Sequence, residues 1–227
     1  MNKKLILLSG KINSGKNQFA EYLKYKFEND GYSVSLDLFA KNLKDYSSED
    51  FKPLGNVLRH KIDNIKSMVS LFYDAKLHVS NGDMLNRINS ELDSLTFIDT
   101  NFYEDKTDIT RVLLQLYGTD IARKRFDDNF WVNKASDRMN ASDADIIIVT
   151  DVRFPNEIDD MYNLISDRDV VPIRINRDIV TNKLITSHVS ESALDDYEQW
   201  FYIIDNNGSL TDLRDTSDNV VSDLMSS

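Results

Sequence analysis

Residues 10–17 read Gly-Lys-Ile-Asn-Ser-Gly-Lys-Asn, so that four residues separate two glycines and a lysine follows the second. Glycines let successive backbone N–H groups turn inward around phosphate oxygens. A helix beginning here adds positive potential, and Lys16 is long enough to reach terminal phosphates. The pattern suits a triphosphate cradle built from Gly10, Asn13, Ser14, Gly15, Lys16, Asn17 and Gln18. At position 17 the usual motif carries Ser or Thr, whose hydroxyl holds magnesium; the Asn17 amide carbonyl can instead accept a magnesium-bound water. A plain strand-to-helix turn would use the same glycines and lysine. In a second constellation, the apolar run at 146–149 leads through Thr150 into Asp151. A carboxylate ending a buried strand beside a phosphate loop can hold a magnesium-bound water; the alternative is a turn residue. Arg153, two residues on, shares a face with Asp151 for as long as the chain stays extended, and suits either a phosphate or a surface carboxylate.

Both constellations need strands that end together, and the hydropathy pattern supplies them. Short apolar runs alternate with helical patterns, the signature of βαβ units and a parallel sheet. Residues 5–8 (Leu-Ile-Leu-Leu) read as a fully buried first strand. Phe19, Leu23 and Phe27 recur at helical spacing over about 16–30, and Gly31 stops that helix. A second strand follows at 33–38. From residue 54, Val57, Leu58, Ile62, Ile65, Val69 and Phe72 mark an amphipathic helix, and the polar, turn-rich stretch onward to Asp108 reads as an insertion. Ile109, Val112, Leu113 and Leu116 restore a helical stripe that stops near Gly118, before a further helix around 131–139. Residues 146–149 are the most strand-like in the chain. Pro155 starts the next helix, and 170–175 forms another strand in which Pro172 suggests an irregular or early position. A last strand spans 201–204, and Ser209 with Asp212 caps a C-terminal helix over about 209–225.

Composition limits the partners. The 27 basic and 38 acidic side chains leave a formal charge of −11, which opposes tight binding to a long nucleic acid but allows a small anion in a local pocket. There are no cysteines, hence no disulfide, thiolate zinc site or catalytic thiol, and His60, His78 and His188 are too dispersed for a histidine metal site. No apolar run approaches the roughly 20 residues of a membrane helix, and the opening one is too short for a signal-peptide core, so a cytoplasmic protein without a membrane partner is expected. A hydrophobic share of 41% in 227 residues is enough to bury a core without staples.

With these motifs in place, the chain resembles the phage-type deoxynucleoside monophosphate kinases, within the P-loop nucleotide kinases. The resemblance is carried, in order, by Leu8 through Lys16, by Phe39-Ala40 with Leu43-Lys44, and by Arg111 through Asp120. It continues in Phe130-Trp131-Val132, Thr150 through Glu157, His188 through Glu191, and Asn206 through Ser209. Residues from about 46 to 106 have no recognisable counterpart. The implied fold is α/β, a P-loop kinase three-layer αβα sandwich around an about five-stranded parallel sheet. It is a single domain over 1–227, with a helical substrate-binding insertion at about 41–108 and a lid at about 176–190. The resemblance implies that Lys44, Arg111, Gly118, Thr119, Trp131, Asp151, Arg153 and Glu191 surround the monophosphate, and that Asn206 and Gly208 lie at the adenine edge of ATP. The family commonly reads Gly-Lys-Asp-Thr in its loop, so the neutral amides Asn17 and Gln18 replace an acidic and a hydroxyl residue. The residues themselves support part of this assignment. A dianionic acceptor needs converging cations, and Lys44 and Arg111 suit it; Arg111, near the start of a striped helix, gains nothing from the helix dipole. Trp131 offers a flat face to a base, or a ring to the core.

Arg174 and Arg177 flank the end of the fourth strand and precede the polar stretch 178–187, which in nucleotide kinases is a lid that closes arginines over donor phosphates and excludes water. A solvent-exposed loop with surface arginines is the alternative. The expected reaction is reversible transfer from ATP, with Mg2+, to a deoxynucleoside monophosphate, with Lys16, Asp151, Arg153, Arg174 and Arg177 as the catalytic set. A P-loop kinase for another small phosphorylated metabolite, and a nucleotide-binding protein with impaired catalysis, are the competing expectations. A homodimer is compatible with the sequence. A phage or bacterial origin follows from the resemblance alone, the host's cytoplasm being the location of a phage-encoded chain.

Overall fold

A computed structural model describes residues 2–45, 114, 118, 123, 127–178 and 189–226. The chain divides into two compact units, Met1–Phe39 with Val132–Ser227, and Ala40–Trp131.

The first unit is built on β1 (Lys4–Ser9), whose six residues are all buried, as a continuous apolar run without alternation requires. Around it lie β2 (Val34–Asp37), β3 (Ile146–Val152), β4 (Asp169–Asn176) and β5 (Tyr202–Asp205). The order is β2-β3-β1-β4-β5, and every pair is parallel. Helix α1 (Lys16–Asn29) follows β1, and α2 (Phe130–Asn140) precedes β3. The short α3 (Asn156–Asp159) and α4 (Met161–Leu164) link β3 to β4, and α5 (Leu210–Ser226) closes the chain.

Side chains alternate across β1 and so build a core on each face of the sheet. Ile6 and Leu8 pack with Phe19, Leu23 and Phe27 of α1 and with Leu213, Val220, Val221 and Leu224 of α5. Leu5 and Leu7 pack on the other face with Val132, Ala135 and Met139 of α2 and with Ile158 and Met161. The result is the expected three-layer αβα arrangement around a five-stranded parallel sheet. The expected strands and helices of this unit appear within a few residues of their anticipated ends. The Ser209 and Asp212 cap is reciprocal: Ser209 N–H donates to the Asp212 carboxylate at 2.7 Å, and Asp212 N–H donates to Ser209 Oγ at 3.2 Å. The bond from Ser209 N–H and, at 2.8 Å, that from the Ser209 hydroxyl to the same carboxylate lower the Asp212 pKa.

Pro172 departs from expectation, standing fourth in the eight-residue β4 and paired with Leu7. Its carbonyl accepts Phe201 N–H at 2.8 Å, on the side where β5 begins only at Tyr202. Since N–H and C=O of one strand residue point the same way, the missing N–H falls ahead of β5 and leaves no ladder bond unmade. The helix expected after Pro155 is broken into α3 and α4, with Pro155 itself just before the first helical residue.

In the second unit, residues 41–45 are helical. Leu43 and Trp131 form a small core with Ala40, Leu114 and Phe130. The helix expected from residue 54, most of the stripe 109–116, and the lid segment 179–188 lie outside the described residues. No helix among the described residues is long and apolar enough to cross a membrane.

Phe27 is fully buried between α1 and the sheet. Phe27→Ala should lower the free energy of unfolding by about 3–5 kcal/mol, read as a shifted midpoint in urea denaturation.

Candidate functional site

The carboxyl ends of β3, β1 and β4 lie side by side, with Ser9 in register with Val152 on one flank and Arg174 on the other. Ligands of open α/β sheets bind at such ends. The loop leaving β1 turns sharply before α1: Gly10, Asn13 and Gly15 have φ of 154°, 61° and 97°. A Cβ at Gly10 would lie 2.3 Å from the Ile175 carbonyl oxygen, and one at Gly15 2.4 Å from Asn206 Nδ2. Both glycines are therefore required by space as well as by backbone. Ser14 N–H donates to the Lys11 carbonyl at 3.1 Å, and Phe19 N–H to that of Gly15 at 2.9 Å, so the loop runs directly into the first turn of α1. Ser14 is buried, and its Oγ has no hydrogen-bond partner. An orphaned hydroxyl inside a glycine-rich turn at a helix N-terminus is a donor suited to an anion.

Lys16 spans this loop, its Nζ donating to the carbonyls of Gly10 at 2.6 Å and Lys11 at 2.9 Å. Burial, reinforced by the Arg153 and Arg174 charges and opposed by Glu191 and Asp151, pulls its pKa down to about 8. Three cations thus converge, and each has a carboxylate nearby. Arg153 pairs with Glu191. Arg174 donates to Ser9 Oγ at 3.0 Å and to Asp195 at 3.2 Å; burial lowers its pKa while Asp195 opposes the shift.

The register between β1 and β3 slips between Leu7 and Ser9, so that β3 carries an extra residue just before its end. Asp151 there accepts Phe39 N–H at 2.8 Å. Arg153 lies past the strand, and its backbone N–H donates to the buried Glu157 carboxylate at 2.7 Å, as that of Phe154 does at 3.2 Å. Asp151 thus engages the chain leaving β2 and Arg153 engages Glu191, and both lie close enough to Lys16 to shift its pKa.

Asn17 and Gln18 are exposed in the first turn of α1. Beside them a cavity of about 250 Å³ is lined by Asn17, Glu21, Asp37 and Thr150, among others. Among the described residues no three acidic or histidine side chains cluster to hold a metal. The oxygen donors present, Asp151 and the Asn17 amide, fit Mg2+ in the form it prefers, keeping its waters and carried by phosphates rather than caged by protein.

The remaining expected residues fall in several places. Asn206 is buried, and its Nδ2 donates to the Ser14 carbonyl at 2.9 Å, so it braces the phosphate loop from beneath Gly15. Asn207 clasps Asp178 through two bonds, of 2.8 and 2.9 Å. A Cβ on Gly208 would meet the Asp212 carboxylate at 2.5 Å, so this glycine admits the cap. Arg177 is exposed, one residue beyond β4. In the second unit, Lys44 lies in the helical stretch 41–45, and its N–H donates to the Ala40 carbonyl. Trp131 is only 3% exposed and donates its indole N–H to the Gly118 carbonyl at 2.8 Å. The indole packs in the small core with Leu43, one of the two placements open to it. Arg111 and Thr119 lie outside the described residues.

The family model for deoxynucleotide monophosphate kinases matches residues 45–216. The chain belongs to the deoxynucleotide monophosphate kinase family. No curated protein matches it. Membership makes this a kinase, with ATP and typically Mg2+ as the implied companions. The matched stretch begins after the glycine-rich loop, so the geometry of residues 10–17 is an observation separate from it. Sequence reasoning missed Ser9, Lys11, Glu157 and Asp195. Glu157 had a local signal, a glutamate three residues after Phe154 at a helix start, as in a capping box. Asp195 had none, meeting partners 184 and 21 residues away.

Gly15 and Gly31 both have positive φ, but a Cβ at Gly31 meets nothing within 4 Å. Gly31→Ala should cost about 1 kcal/mol of stability and leave binding of a non-hydrolysable ATP analogue intact. Gly15→Ala should weaken that binding at least tenfold, both read by titration calorimetry beside urea denaturation.

Proposed function

We propose that this kinase transfers the γ-phosphoryl group of ATP to a deoxynucleoside monophosphate, giving ADP and the deoxynucleoside diphosphate. The observation that carries the reading is the meeting of Lys16, Arg153 and Arg174 at the mouth of a glycine-rich turn with an unpartnered Ser14 hydroxyl. Family membership supports the choice of acceptor. In this reading the chain is one kinase domain in which the insertion at about 41–108 binds the acceptor and the segment at about 176–190 covers the donor. Its work is done in the cytoplasm, where both nucleotides are found.

An oxygen of the acceptor phosphate forms the new bond to the γ-phosphorus. The bond from that phosphorus to the β–γ bridging oxygen breaks, and its electron pair stays on ADP. The acceptor is already ionised at neutral pH, so no general base is needed; the protein supplies alignment and charge. Lys16 exchanges the Gly10 and Lys11 carbonyls for donor phosphate oxygens, while the loop amides and Ser14 Oγ hold the remaining donor oxygens. Arg153 and Arg174, with Arg177, neutralise the transferring group, and Glu191 orients Arg153. Asp151, fixed by Phe39 N–H, and the Asn17 carbonyl accept metal-bound waters. Magnesium, when bound, spreads the negative charge of the phosphate oxygens. Lys44, Arg111 and Thr119 serve the acceptor phosphate, and the buried Trp131 with Gly118 shapes that unit from within. Asn206 and Gly208 set the loop that follows β5 beside the adenine.

ADP release should be seen with at least one of the four common deoxynucleoside monophosphates, and Lys16→Ala should reduce it by at least a hundredfold. Release only with another phosphorylated metabolite would redirect the substrate assignment, and ATP binding without turnover would identify a binding protein with impaired catalysis.

Donor affinity should also depend on pH in a defined direction. The triphosphate favours charged Lys16 and raises its pKa above the value near 8 of the unbound protein. Affinity should be flat below pH 8 and fall by up to about tenfold per pH unit above it, as binding requires proton uptake. Calorimetry in buffers of different ionisation enthalpy reads that uptake directly.

A further inference from the structure

Asp195 has no role in the reaction described so far, yet it joins two of the cations around the phosphate loop. Its Oδ2 accepts Lys11 Nζ at 2.9 Å, and its Oδ1 accepts an Arg174 guanidinium nitrogen at 3.2 Å. Lys11 is the second residue of the loop, and its carbonyl receives both Ser14 N–H and Lys16 Nζ. Arg174 lies two residues before the end of β4, held also by Ser9 Oγ at 3.0 Å and lying 5.8 Å from the centre of the Trp200 ring. One carboxylate therefore spans from the loop to the neighbouring strand.

The platform beneath it is fixed. Leu194 is buried in the core shared with α2, and Asp195 N–H donates to the Ser192 carbonyl at 3.0 Å. As a surface ion pair the Lys11 contact adds little stability, since both partners are substantially exposed. Its consequence is geometric. Long cationic side chains lose rotamer freedom when they order around a phosphate, and two cations brought to one mouth repel each other. A carboxylate placed between them removes both obstacles before substrate arrives, which is preorganisation of the kind that raises turnover more than affinity.

We propose that Asp195 is a positioning residue for phosphoryl transfer, holding Lys11 and Arg174 in the arrangement that meets the donor phosphates. The assignment rests on the kinase reaction proposed above. Arg174 commits one guanidinium nitrogen to Ser9 and another to Asp195, and a guanidinium has five N–H donors, so donors remain for phosphate.

The test compares full-length wild type with Asp195→Ala, Asp195→Asn, Arg174→Gln and the Asp195→Ala/Arg174→Gln double variant, measuring kcat, KM for each substrate and thermal midpoint. Asp195→Ala should lower kcat at least tenfold, with KM for the monophosphate within twofold and an unchanged midpoint. Asp195→Asn should recover part of the loss, because its amide oxygen can hold one cation. In the Arg174→Gln background, Asp195→Ala should cost less than twofold further, the non-additivity expected of residues that act through each other. The assignment is overturned by an Asp195→Ala enzyme with wild-type or raised kcat, or by a full tenfold penalty persisting in the Arg174→Gln background. A wild-type chain that transfers to no monophosphate would defeat the underlying reaction, and this assignment with it.

Discussion

Parallel pairing of β1 with β3 on one side and β4 on the other is the constraint on which the site depends. Because the three strands run the same way, the chain leaves all of them at one edge of the sheet. Ser9 is thereby brought beside Asp151 and Arg174, each more than a hundred positions later in the chain. The completely buried β1 makes the pairing costly to shift. A slip of one residue would turn Ile6 and Leu8 away from α1 and toward α2.

Charge is managed at that edge by pairing. Lys16, Arg153 and Arg174 come close enough to perturb the lysine, and in a chain of net charge −11 each lies near an acid: Asp151, Glu191 and Asp195. The carboxylates do not arise from one segment. Asp151 comes from the bulged end of β3, whereas Glu191 and Asp195 come from the short turns that precede β5. The cluster of cations is thereby held in shape by groups of the opposite sign.

Much of this was legible beforehand. The alternation of apolar runs and helical stripes yields a parallel sheet, and Gly10 to Lys16 sits where the loop belongs, because those signals are local and periodic. What was illegible is side-chain commitment across long separations. Neither the bond from the Asn206 amide to the Ser14 carbonyl nor the packing of the Trp131 ring with Leu43 can be read from the residues beside them. Pro172 suggests an irregular or early strand position, because a sequence does not reveal that β5 begins late enough for a missing N–H to go unnoticed. The extra residue between Val149 and Val152 is likewise a feature that residue spacing alone does not encode.

The Asn206 amide passes directly beneath Gly15, close enough that neither position has room of its own. Two turns almost two hundred residues apart therefore share a single van der Waals allotment. Shrinking the second would open space beneath the first but would strip the Ser14 carbonyl of its donor, while the positive φ at the first still disfavours any side chain there. Neither place can change alone without loss, which makes the pair a fixed point of the loop.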